Sequence, residues 1–179
     1  KEIDSELETK TKTHPDYSGM GTTLTTLFLN GSDVELLHIG DSRAYRIRGK
    51  KIEQLSHDHT VVQELVDQGR LKLDEVADHP QRSFLTQALM GNSSIDPILI
   101  LYPGKIGDQF LLCSDGLNSV LSDFEIQSII NNSANRNDIP TLLLAAVKAK
   151  GAPDNITIIW SEVINKNQNS AVELLGAAL

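Results

Sequence analysis

The chain has a single cysteine, Cys113, so no internal disulfide can form and a reducing cytoplasm is the expected compartment. Basic residues are also scarce. Sixteen Lys and Arg against 24 Asp and Glu leave a net charge of −8, which repels nucleic acid and anionic membrane alike. An anionic substrate would need a site locally reversed in sign, for example by bound cations. No apolar stretch approaches membrane-spanning length, no internal repeat is present, and the expectation is that there is no signal peptide. The first residue is Lys1 rather than methionine, and the expectation is that an upstream segment has been removed. At 179 residues the chain is one domain, or most of one, with room for a sizeable core.

Several phosphate-handling motifs are missing as well. Neither Gly49-Lys50 nor Gly104-Lys105 is followed by Ser or Thr, which excludes a P-loop. A thiol phosphatase would need an arginine six positions after its cysteine, and six after Cys113 is Ser119. No Asp-x-Asp occurs, which removes the aspartyl-phosphate hydrolases, and Ser42 lacks the glycine of a nucleophile elbow. Catalysis through a protein nucleophile is therefore disfavoured.

What is present begins with a short helix end in residues 1–17 and a turn at Ser18 to Gly21. Strands are expected at Thr22 to Leu29, Val34 to Ile39, Ala44 to Ile47 and Ile52 to Leu55, with Asn30-Gly31 as a hairpin turn. Together these read as an antiparallel meander. Thr60 with Gln63 resembles a capping box that opens a helix ending at Gly69, and a helical turn lies near Asp74 to Ala77. Strands at Phe84 to Leu89 and Ile98 to Tyr102 flank a Gly-Asn-Ser turn. Ser122 to Glu125 caps one helix, Asp138 with Pro140 opens another, and Asn155 to Val163 is the last strand. Ala171 to Leu179 reads as a helical tail. The pattern is α+β, an antiparallel sheet system with helices packed outside it.

The stretch Phe110 to Leu117 (FLLCSDGL) runs four apolar residues, the last of them Cys113, into Ser114, Asp115 and Gly116. Such a run suits a strand buried on both faces, which delivers one carboxylate at the rim of the core. Asp41, Asp58 and Asp154 also stand at element ends. Hard divalent ions take oxygen ligands, so these four are candidates for a Mg²⁺ or Mn²⁺ site, with capping of turns as the alternative for each. Asp41 is read as ordering the Gly-Asp-Ser-Arg turn. His57 and His59 are read as solvated, His38 as a hydrogen-bonded strand residue, Arg43 and Arg82 as partners of carboxylates in preference to substrate, and Cys113 as core.

The ordered series SGMGTTL, HIGDSRAYR, LSHDHTVVQELV, HPQR, LLCSDGL and PDNITI resembles the metal-dependent protein phosphatases of the 2C type, particularly the bacterial members. The resemblance implies a four-layer sandwich, two antiparallel sheets flanked by helices, over residues 1–165, with 166–179 as a tail. It implies hydrolysis of phosphoserine and phosphothreonine in proteins by a water activated at a dinuclear Mn²⁺ or Mg²⁺ centre, without a phosphoenzyme. By motif, Asp115 and Asp154 would be ligands of the first metal, and Asp58 with Asp115 would hold a third, weaker ion. No other catalytic residue is assigned. Residues 65–82 would form a flap beside the site. Phosphorylated proteins and a cognate Ser/Thr kinase are the implied partners, without nucleic acid or membrane. The family's N-terminal phosphate-binding Arg, bridging Asp and DGxGG segment have no counterpart here. The expectation is therefore that the 179 residues alone lack two strands and the second-metal site, leave a sheet edge unpaired and do not turn over substrate. The alternative is a non-catalytic regulatory or phosphoprotein-binding domain of the same fold.

Overall fold

The computed structural model describes residues 2–30, 33–91 and 95–164. Two antiparallel sheets face one another. One holds β1 (Leu24–Asn30), β2 (Asp33–Ile39) and β5 (Ile98–Pro103) in the order β1-β2-β5. The other holds β3 (Arg43–Arg48), β4 (Lys51–Gln54), β6 (Gln109–Cys113) and β7 (Ile158–Glu162) in the order β4-β3-β6-β7. The expected meander is thus two hairpins in different sheets. The chain crosses between them at Gly40, whose φ of +107° suits glycine and whose missing Cβ leaves room for Thr23.

The apolar run of β6 is explained by its position. Phe110 points between the sheets and packs with Val34, Leu36, Ala44 and Leu55. Its neighbours Leu111 and Cys113 point the other way, into a second core with Tyr45 and Ile47. That core is closed by three helices, α3 (Asp115–Asn118), α4 (Asp123–Asn132) and α5 (Ile139–Ala149), through Leu117, Ile126, Leu143 and Val147. A strand with helices on one side and a sheet on the other has no polar face to show.

Helix ends follow the local chemistry. Ser122 accepts from Glu125 N while Glu125 reaches back to Ser122 N, a complete capping box. At α2 (Val61–Asp67) only half of the box forms. Thr60 accepts from Gln63 N, and the Gln63 side chain turns instead to Asp67 at 2.9 Å. The strand expected at Phe84 to Leu89 is absent. Leu85 and Leu89 make only isolated bridges, to Thr60 and Thr22, and Phe84 and Leu85 are exposed.

Helix α1 (Glu2–Thr13) buries none of its own residues. It is clipped to the 90–91 backbone by Asp4, which accepts from Met90 N and Gly91 N. The outward side of the three-stranded sheet shows Phe28, Leu99 and Leu101 to solvent. Gly31 of the expected hairpin turn, Asn92 and Ser93 of the Gly-Asn-Ser turn, and the tail at 166–179 lie outside the described residues.

Candidate active site

One end of the sandwich gathers the acidic residues. β2 leaves toward Asp41, β3 begins at Arg43, β4 leads to Asp58, and β6 runs directly into Asp115, the first residue of α3. An open cleft of about 230 Å³ at this end is lined by Asp41, Asp58 and Asp115 together with Arg43 and Arg82. Sequence order alone could not show that convergence.

Arg43 and Asp58 form the tightest polar contact in the cleft. The guanidinium donates from Nε to both Asp58 oxygens, at 3.0 and 2.9 Å, and from Nη2 to Oδ2 at 2.7 Å. Gln54 Nε2 donates to Asp58 Oδ1 at 3.0 Å. Arg43 also reaches Tyr45 Oη, which donates to Asp123 Oδ1 at the start of α4. The expected pairing of Arg43 with a carboxylate is therefore present. Arg82 differs from expectation: it lines the cleft, and among the described residues its guanidinium has no ion-pair partner.

Asp41 is the residue whose place the sequence reading understated. Its carboxyl is pushed up to about 6, first by burial and then by the charges of Asp115 and Asp58. Its contact with its own backbone amide and the charge of Arg43 oppose the shift without cancelling it. A cluster of carboxylates held together with too little positive charge is a place that favours a cation.

Asp154 sits on the loop before β7, which is entered through Gly151 and Ala152, both at positive φ. It does not line the cleft, and its Oδ1 accepts from Asn155 N at 2.7 Å. The loop is nonetheless stitched to the end of β6. Ser114 N donates to Thr157 O, Ser114 Oγ accepts from Thr157 N at 3.0 Å, and Gly116 has no Cβ because Asn155 O occupies that space. Asp154 is thereby held on the loop that packs against the turn carrying Asp115.

Two histidines lie behind the cleft. His38 is fully buried, bonded through Nδ1 to Thr25 Oγ1 at 2.9 Å, and stacked on His59 with ring centroids 5.1 Å apart. Burial, then the charge of His59, lowers His38 to about 4. His59 is also buried and accepts from Gly40 N at 3.0 Å, so it is structural rather than solvated. His57 is exposed and pairs with Asp67. Cys113 is core, its thiol pushed up to about 12 by burial.

The donor set fits a hard divalent ion in kind, because Asp41, Asp58 and Asp115 offer oxygen only and carry unbalanced charge. It is short in number. Among the described residues no three His, Cys, Asp or Glu side chains come together closely enough to hold a metal ion. Asp58 could serve a cation only by giving up part of the Arg43 fork.

No protein-family model matches the chain. It is similar to serine/threonine protein phosphatase PstP of Mycobacterium tuberculosis, with 36% identity over 175 residues, 98% of this chain and 34% of that protein. The chain thus spans about a third of that curated relative's length. Among solved structures, the PstP/Ppp crystal structure of Mycobacterium tuberculosis superposes with a TM-score of 0.85 at 36% identity, covering 90% of this chain and 68% of that one. The PstP catalytic domain in complex with two manganese ions superposes with a TM-score of 0.79 at 34% identity, covering 90% and 67%.

Proposed function

The chain belongs to the bacterial metal-dependent serine/threonine protein phosphatases of the 2C (PPM) type, and from that premise we propose that it removes the phosphoryl group from phosphoserine and phosphothreonine in proteins by hydrolysis. The observation that carries the reading is the meeting of Asp41, Asp58 and Asp115 in one cleft, where burial first, and then the charges of Asp115 and Asp58, raise the Asp41 carboxyl. Mn²⁺ or Mg²⁺ is the proposed cofactor, as two ions in the complete site and a third, weaker one. Asp115 and Asp154 are the proposed ligands of the first ion, and Asp58 with Asp115 of the outer one. When bound, such ions supply Lewis-acid polarisation of phosphoryl oxygens and a water of lowered pKa.

The chain's own groups do the remaining work. Arg82, on the segment over the cleft, offers two parallel N–H donors to phosphoryl oxygens. Arg43 fixes Asp58 against the end of β4, and through Tyr45 ties that carboxylate to α4. No side chain is assigned as a nucleophile. Residues 1–165 are proposed as one phosphatase domain followed by a tail at 166–179. The counterpart is a Ser/Thr kinase acting on the same proteins, and the compartment is the cytoplasm. The lone buried cysteine supports that compartment. Among the described residues no helix is long and apolar enough to cross a membrane.

The absence of a three-ligand group among the described residues supports a second reading, a phosphoprotein-binding domain of the same fold. We further propose that the 179 residues alone do not hold a two-ion centre, because the family's DGxGG segment and bridging Asp have no counterpart in the chain. Calorimetric Mn²⁺ titration of the intact gene product and its Asp115→Asn variant, with phosphate release from a phosphothreonine peptide, tests these together. Affinity reduced about tenfold or more by the substitution, with hydrolysis by the parent, is expected. Tight binding that ignores the substitution would overturn the ligand assignment. A phosphopeptide bound but never hydrolysed would favour the second reading, and brisk turnover by the 179 residues alone would overturn their expected inactivity.

A further inference from the structure

The cleft has two walls of opposite character. One side carries the carboxylates already described. The other is apolar, formed by Leu73, Val76 and Ala77 of one segment, and Val62 of α2 also lines the cleft. Leu73 is 76% exposed, and a lone exposed leucine is ordinary. Here, however, it lies with three other apolar residues along one wall of a cleft of about 230 Å³.

Leu73 is also held in place. It opens a one-turn 3₁₀ helix, Leu73–Glu75, locked at both ends because Lys72 N donates to Glu75 Oε2 at 2.9 Å and Glu75 N donates to Lys72 O at 3.1 Å. A backbone closed in this way loses little further freedom when something packs on the side chain it presents.

We propose that Leu73, with Val76 and Ala77, selects the residue beside the phosphorylated one, accepting an aliphatic side chain there. This rests on the phosphatase reading above and adds a sequence preference to it. Charge points to the same occupant. Asp74, Glu75 and Asp78 share the segment, and Asp41, Asp58 and Asp115 face it, so an acidic neighbour is repelled from both sides. Arg82, without an ion-pair partner among the described residues, is left for the phosphoryl group. A phosphorylated side chain and one aliphatic neighbour suit the cleft's volume, which is below the range typical of sites for larger ligands.

The test is fluorescence anisotropy of the intact gene product in Mn²⁺ with labelled peptides that carry a non-hydrolysable phosphonate in place of the phosphothreonine phosphate, comparing leucine flanks with serine flanks, each beside its form without the phosphonate. The serine flank is uncharged, so the comparison isolates the apolar wall from the acidic floor. The leucine peptide is expected to bind roughly five- to tenfold more tightly than the serine peptide. Leu73→Asp should abolish that ratio, whereas Leu73→Met should preserve it. Leu142→Ser, at an exposed leucine outside the cleft, should leave it unchanged. Equal affinity for the two flanks, or a ratio that survives Leu73→Asp, would overturn the proposal. If the phosphonate made no difference to binding, the phosphatase reading would fail instead, and the leucine-to-serine ratio would still score the wall. Failure of every peptide to bind would remove both.

Discussion

Gly116→Ala should damage the site more than its size suggests. A Cβ built at Gly116 lands on Asn155 O, closer than the 3.0 Å that real Cβ atoms tolerate, with Asn155 C at 3.0 Å and Ile156 Cγ1 at 3.3 Å. The first two atoms are backbone and cannot swing aside, so the loop must retreat by roughly 1 Å. That loop carries Asp154. Alanine gains about 1 kcal/mol over glycine in a helix interior, less in a single turn such as α3. Overpacking against a fixed backbone costs about 1–3 kcal/mol, so the net loss of stability should be about 1–2 kcal/mol. The larger effect belongs to geometry, because the proposed ligands Asp115 and Asp154, displaced by this amount, would no longer converge on one ion. Urea denaturation reads the first quantity, and Mn²⁺ titration of the folded variant reads the second. A loss of metal affinity of about tenfold or more, at modest cost in stability, is expected. Unchanged Mn²⁺ affinity would refute the idea that the contact between Gly116 and Asn155 sets the position of Asp154.

Arg43→Gln should cost about 3–5 kcal/mol in urea denaturation, because it strands Asp58, whose side chain is only 8% exposed, without its cation. Arg43→Lys should recover only part of this, since an ammonium cannot reproduce the fork, and full recovery would argue for simple charge balance. His38 sets a pH dependence. Its folded value near 4 lies below its ordinary 6.5, so the unfolded chain takes up a proton that the folded one refuses. Stability should therefore fall as pH drops from 6.5 to about 4 and level off below. The loss is on the order of 3 kcal/mol at most. His38→Gln should flatten that part of the profile, and an unaltered slope would assign the acid sensitivity elsewhere.

Elements whose reason is local were legible in the sequence. The run Phe110 to Cys113 is apolar because both faces of β6 are covered, and Ser122 with Glu125 makes the capping box its spacing implies. Features that depend on which strand meets which were not legible. Val34 to Ile39 and Ala44 to Ile47 look like successive strands of one sheet, and only the positive φ at Gly40 sends them into two. Phe84 to Leu89 has strand composition but no strand beside it, so two isolated bridges are all that form. Asp41 was passed over for a related reason. Gly-Asp-Ser-Arg is a sound turn on its own, and the carboxylate's role emerges only once Asp115 and Asp58, remote in sequence, lie within electrostatic reach. His59 was read as solvated because its neighbours are polar, yet it is packed against His38.

The charge balance of the cleft limits what can bind there. A phosphoryl group must approach a surface with Asp41, Asp58 and Asp115 on it, in a chain of net charge −8. Of the two arginines present, Arg43 has its charge answered by Asp58, which leaves Arg82 as the cation available to a substrate. One arginine against two further carboxylates cannot make the potential favourable for a dianion, and the partial burial of Asp41 reduces the screening that water would supply. On the proposed phosphatase reading, phosphate recognition here would therefore depend on added positive charge. The same charge would relieve the repulsion that raises Asp41, so ion binding and loss of the Asp41 proton are linked. Phosphopeptide affinity should accordingly collapse in chelator and return with Mn²⁺, whereas the Arg43–Asp58 fork should be intact in chelator and open in part when an outer ion takes Asp58. If phosphopeptide bound equally well in chelator, Arg82 alone would be sufficient and the acidic cluster would need another explanation.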